Sequence, residues 1–165
     1  MLTRLGLLSA AAVAGLLTFA PAQAQILQER NISLALAQEI AMGAIQACAA
    51  KNFNVAATVV DRSGIVRAML RADRAGPHTP AASRDKAFTA ASARNATSAM
   101  VEAVDKNPAQ KNLGQIPGFL LLGGGLPMRA GDEVIGAIGV GGAPAGAIDE
   151  DCAKTAIEKV ADKLK

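Results

Sequence analysis

The residues best suited to chemistry cluster around a Gly-Pro loop, Ala75-Gly76-Pro77-His78-Thr79-Pro80, which holds the single histidine of 165 residues. An imidazole beside a helix start offers a neutral nitrogen to a metal, and an iron porphyrin takes such a ligand axially. The plain alternative for His78 is a solvated or capping side chain. Arg71, Arg74 and Lys86 flank it in sequence, and each can meet a carboxylate or a porphyrin propionate with a charge-assisted hydrogen bond. For Arg84, Asp85 and Lys86 the default role is a solvated helix face. Phe88, Phe119 and Met128 are candidate apolar walls.

A second chemistry uses the same segment differently. Lys86 could hold the carboxylate of a small 2-hydroxy or 2-oxo acid, with Asp61 or Asp85 as base. One histidine gives no Ser-His-Asp or Cys-His arrangement. Cys48 and Cys152 are far apart and, with that histidine, do not complete a tetrahedral metal site without carboxylates. Gly123-Gly124-Gly125 and Gly139-Val140-Gly141-Gly142 depart from the phosphate-loop pattern and read as turns and close-packing positions.

These side chains need a scaffold, and its outline follows from local patterning. Val55 to Val60 is rich in β-branched residues, as a buried strand is. Asp61-Arg62-Ser63-Gly64 supplies turn chemistry, and Ile65 to Leu70 returns antiparallel. Before this hairpin, Ser33 caps a helix whose apolar stripe is Ala37, Ile40, Ala41, Ala44, Ile45 and Cys48. After it, Thr79 caps a helix with Pro80 at its first position, running to about Arg94. Thr97 caps a short segment, Ser98 to Lys106, and Ala109 to Pro117 is a polar loop placed to act as a rim or lid. Phe119 to Leu122 and Leu126 to Met128 are strand candidates before a turn at Ala130-Gly131-Asp132. Val134 to Val140 is a strand whose Gly136 and Gly139 fall on opposite faces. Asp149 to Leu164 closes the chain as a helix with acids at its start. The order predicts an α+β domain, an antiparallel sheet with helices packed on its faces in a profilin-like, three-layer arrangement.

Residues 1–24 read as a secretory leader. Arg4 precedes an apolar run from Leu5 to Ala20, and Ala22-Gln23-Ala24 gives the small-x-small cleavage pattern. The expectation is one domain over 25–165, periplasmic or secreted, with no membrane span after leader removal. In that compartment Cys48 and Cys152 are expected to pair, closing a loop of about a hundred residues for roughly 4–5 kcal/mol; two separately buried thiols are the alternative. A formal charge of +3, or +2 without Arg4, together with the absence of Trp and Tyr, excludes a nucleic-acid footprint.

Several segments in this order resemble the GlcG/HbpS family of haem-binding and related proteins. They are Val59-Val60-Asp61-Arg62-Ser63-Gly64, Arg71-Ala72-Asp73-Arg74-Ala75, Ser83 with Lys86-Ala87-Phe88-Thr89-Ala90, Gly123-Gly124-Gly125-Leu126-Pro127, Gly136-Ala137-Ile138-Gly139-Val140-Gly141-Gly142-Ala143 and Asp149-Glu150-Asp151-Cys152-Ala153. The resemblance implies a small α+β domain that assembles into homo-oligomers. It implies haem for some members, and an association with glycolate or diol metabolism for others. The leader favours the haem-binding branch. Where the family often has a Gly-Ala pair, this chain has Arg74-Ala75-Gly76-Pro77-His78, so His78 is nominated as axial ligand on its chemistry alone. The expected function is haem sensing, storage or handling, with Arg71, Arg74, Lys86 and Phe88 around the ligand. The alternatives are the small-acid enzyme or binding module and a ligand-free structural oligomer.

Overall fold

The computed structural model describes residues 26–165, and the leader pattern lies outside them. Ser33 accepts a hydrogen bond from the Leu36 amide at 3.3 Å and starts α1, Leu34–Ala49. Two strands follow, β1 (Ala56–Asp61) and β2 (Val66–Arg71), then α2 (Thr79–Ala93) and α3 (Thr97–Lys106). The polar segment read as a rim loop is wound tightly as a short helical stretch, Pro108–Gln115. A second hairpin, β3 (Gly125–Ala130) and β4 (Glu133–Gly141), leads into α4, Gly146–Glu158.

The sheet is antiparallel throughout, in the order β2-β1-β4-β3. Both hairpins lie where the turn chemistry puts them. Asp61 Oδ1 accepts from the Ser63 and Ile65 amides at 2.9 and 3.0 Å, and Gly64 takes a φ of 80° that a side chain would resist. α1 and α4 pack together on one face of the sheet and α2 covers the other. This is the expected three-layer α+β architecture. Cys48 on α1 and Cys152 on α4 form a disulfide with Cα atoms 5.4 Å apart. Among the described residues no helix is long and apolar enough to cross a membrane.

Three local expectations change. Phe119 to Leu122 is not a strand. Phe119 packs edge-on against Phe88, and the Leu120 amide donates to Thr89 Oγ1 at 2.8 Å, so a helix side chain takes a bond that a ladder would need. Thr79 and Thr97 are first helical residues rather than caps: Thr79 Oγ1 donates to the Gly76 carbonyl at 2.8 Å, and Thr97 Oγ1 accepts from the Gly125 amide at 2.9 Å. The last helix starts earlier and ends at Glu158, with a separate short turn at Ala161–Lys163.

Candidate functional site

Of the candidate binding residues, His78, Arg71, Arg74, Lys86, Phe88 and Phe119 lie on or around the α2 side of the sheet, and Met128 does not. Met128 is fully buried in the core beneath α1 and α4. It cannot form a wall with Phe88, because the sheet separates them.

The loop from β2 to α2 carries Arg71, Arg74 and His78, all exposed. Arg71 Nη2 donates to the Ala75 carbonyl and so ties the loop to the end of β2. His78 is the N-cap residue of α2, but its backbone is helical and its side chain makes no capping bond. The imidazole lies over Gly76, where a Cβ would come within 2.9 Å of Cε1 and 3.0 Å of Nδ1. Glycine at 76 therefore admits this ring position, with Nε2 the nitrogen not set against the backbone.

Lys86 lies two turns further along α2, on the helix side that faces the sheet, and is 1% exposed. Its Nζ donates to Asp149 Oδ2 at 2.8 Å and to the Val140 carbonyl at 2.9 Å. Asp149 is 2% exposed, stands in the first turn of α4, and takes the Ala143 amide on its other oxygen at 3.0 Å. A buried charge pair needs further hydrogen bonds to offset its desolvation, and here the Val140 carbonyl serves the ammonium and the Ala143 amide the carboxylate. Sequence reading gave Lys86 an anionic ligand. The structure gives it the protein's own carboxylate, so its charge is spent inside the fold.

Glycines make that closeness possible. A Cβ on Gly139 would stand 2.1 Å from the Ser83 carbonyl oxygen, and one on Gly125 would stand 2.5 Å from the Lys86 carbonyl oxygen. Helix α2 therefore rests almost directly on strand backbone. Thr58 and Ser83 share a hydrogen bond of 2.7 Å in the same interface.

Phe88 is half-buried at the far end of α2's contact with the first hairpin. Its ring meets Phe119 edge to face, with centroids 6.1 Å apart. His78 and Phe88 are ten residues apart, which is about 15 Å along a helix at 1.5 Å per residue. The nominated residues thus divide into an exposed loop, a buried ion pair and an aromatic cleft. Only His78, Arg71 and Arg74 share one open surface. The small-acid arrangement is not assembled either, since Lys86 is committed to Asp149, Asp61 to its own turn and Asp85 to Arg84. Sequence reading missed the pairing with Asp149. The one legible hint was a lysine set against alanines in a segment resembling a family motif.

Comparison with known proteins follows the same lines. Residues 32–158 match the family model described as haem degrading protein HbpS-like. A crystal structure of a double mutant of HbpS from Streptomyces reticuli is 34% identical. It covers 87% of this chain and 98% of its own, with a TM-score of 0.78. A 15.0 kDa protein from the dhaT-dhaS intergenic region of Citrobacter freundii is 34% identical over 137 residues, 79% of this chain and 93% of that protein. The crystallised complex of PduOC with haem is 23% identical, spans 78% of this chain and 94% of its own, and has a TM-score of 0.72; at that identity it shows a shared fold.

Proposed function

The chain belongs to the HbpS-like family, described as haem degrading, and from that premise we propose that it is an extracytoplasmic haem-binding protein in which His78 supplies the axial nitrogen. The observation that carries the reading is the His78 imidazole, exposed, uncapped and laid over a glycine that makes room for it. A donor atom so placed fits an axial ligand, because iron requires an accessible ring nitrogen. When bound, haem supplies a redox-active iron and two propionates. Arg71 and Arg74 stand on the same loop to neutralise the propionates. Lys86, buried and paired with Asp149, holds α2 in place and does not face the loop.

The description of the family and the haem complex of PduOC, a protein of the same fold, support haem as the ligand class. The leader pattern and the Cys48–Cys152 disulfide support a site of action outside the cytoplasm. The loop is open to solvent and leaves room for a second copy of the chain beside it. Exposed Val66 and Met69 on the neighbouring edge strand β2 support such an assembly.

Haemin titration of the protein and of His78→Ala tests this reading. A saturable, shifted Soret band that weakens at least about tenfold in the variant is expected. Equal affinity and an unchanged spectrum in the variant would remove His78 as the ligand.

A further inference from the structure

Four residues, Gly76-Pro77-His78-Thr79, close a turn just before α2. The Thr79 amide donates to the Gly76 carbonyl at 3.1 Å. Proline suits the second place of such a turn because its ring pre-sets the φ required there. His78 takes the third place with φ −78° and ψ −19°, close to the values of a type I turn. Its own carbonyl accepts from the Ala82 amide at 3.0 Å, so the turn passes directly into the helix.

Thr79 adds a second bond to the same atom. Its Oγ1 donates to the Gly76 carbonyl at 2.8 Å, so both lone pairs of that oxygen are taken. His78 is exposed, but Thr79 beside it is fully buried. The methyl group of Thr79 lies against the end of β4, where a Cβ on Gly142 would stand 3.1 Å from Cγ2. On the other side Arg71 Nη2 donates to the Ala75 carbonyl, and the Ala75 amide donates to the Ala72 carbonyl at 3.0 Å. The turn is thereby tied to β2 through Arg71 and packed on β4 through Thr79.

The imidazole lies on this turn, in the space that a Cβ at position 76 would take. An exposed side chain ordinarily spreads over its staggered wells, and a ligand that needs one of them bears the cost of selecting it. A ring already seated on Gly76 escapes part of that cost. Its placement then depends on how Gly76 is held.

We propose that Thr79 is the positioning residue for His78. By holding the Gly76 carbonyl through two bonds, it fixes the surface on which the imidazole rests and presents Nε2 in one orientation. Which ligand Nε2 meets rests on the haem reading above; the seat itself belongs to the haem-free chain.

His78 is the single histidine of the sequence, so NMR of ring-labelled histidine in the haem-free protein reports the seat directly. Thr79→Val keeps the side-chain shape and removes the donor, whereas Thr79→Ser keeps the donor. In Thr79→Val the ring signals should move towards those of free histidine. Haemin affinity should fall about threefold to tenfold, as expected for one lost hydrogen bond. Thr79→Ser should return both readings to within about twofold of the unsubstituted protein. Gly76→Ala sets a methyl where the ring lies and should displace the same signals, which keeps the test open if Thr79→Val does not fold. The proposal is overturned if Thr79→Val lowers the urea midpoint but leaves the ring signals in place. It is also overturned if Thr79→Ser is as impaired as Thr79→Val, or if Gly76→Ala leaves the signals unmoved. Undiminished haemin affinity in His78→Ala would remove the haem reading instead, and the ring signals would still decide the seat.

Discussion

Beneath α1 and α4 the sheet buries Ile40, Val59, Met128, Ile138 and Val140 around a disulfide. Beneath α2 it buries Val60 and Ala137 against Ala87, Ala90 and Ala91, with Ser83, Thr58, Lys86 and Asp149 alongside. The first face is held by apolar volume and a covalent link. The second is held by close backbone approach over glycines and by hydrogen bonds, so its geometry is more directional and its apolar burial smaller. Apolar contact tolerates small shifts, whereas a Lys86 bound at once to Asp149 and the Val140 carbonyl fixes α2, the end of β4 and the start of α4 together. The loop that carries His78 and the cleft around Phe88 both hang on the directional face.

That contrast can be broken or sharpened by perturbing each side in turn. Removing the disulfide with Cys48→Ser and Cys152→Ser together should act on the apolar face. The bridge spans 104 residues, and its loss should lower stability by about 4–5 kcal/mol in urea denaturation. An unchanged urea midpoint would mean that apolar packing alone holds α1 to α4. On the other face, Lys86→Met leaves Asp149 buried and unpaired and should cost about 3–5 kcal/mol, while adding Asp149→Leu should recover part of that loss. Additive losses in the double variant would show that the two charges are not coupled.

A smaller effect is expected from Gly139→Ala, which sets a methyl against the Ser83 carbonyl. Overpacking of this kind costs about 1–3 kcal/mol, and protease cleavage after local opening of α2 should rise accordingly. The smallest effect belongs to the surface. Asp151 is held below the usual aspartate pKa, chiefly by the hydrogen bond from Lys51 and then by the charge of that ammonium. A depressed carboxyl pKa stabilises the fold above the ordinary aspartate value and loses that contribution as pH falls through the folded value. Lys51→Ala should therefore shift the urea midpoint slightly at pH 7 and not at all once Asp151 is protonated. Solvent screening keeps the shift small.

Much of the scaffold was legible because its signals act over a few residues. Ser33 caps α1, Asp61 and Gly64 make the first turn, and Gly131 makes the second with a φ of 63°. Gly136 and Gly139 do fall on opposite faces, one towards Met128 and Ile32, the other towards α2. The site was less legible. Phe119 to Leu122 reads as a strand candidate, but Thr89 captures the Leu120 amide. Helix α2 buries threonines, a serine and a lysine, so no apolar stripe announced which of its sides faces inward.

By itself the sequence determined the order of elements, the two hairpins, the three-layer class and the one possible intramolecular partner of each cysteine. Turn chemistry, helix caps and β-branched runs are local, and an isolated pair of cysteines has one intramolecular partner each. The tertiary structure alone decided that Lys86 meets Asp149 across 63 residues, that Met128 lies on the opposite face from Phe88, and that Gly64 and Gly118 clamp one ring. Those contacts depend on strand register and on which layer each helix joins, and neither is encoded within any short stretch of chain.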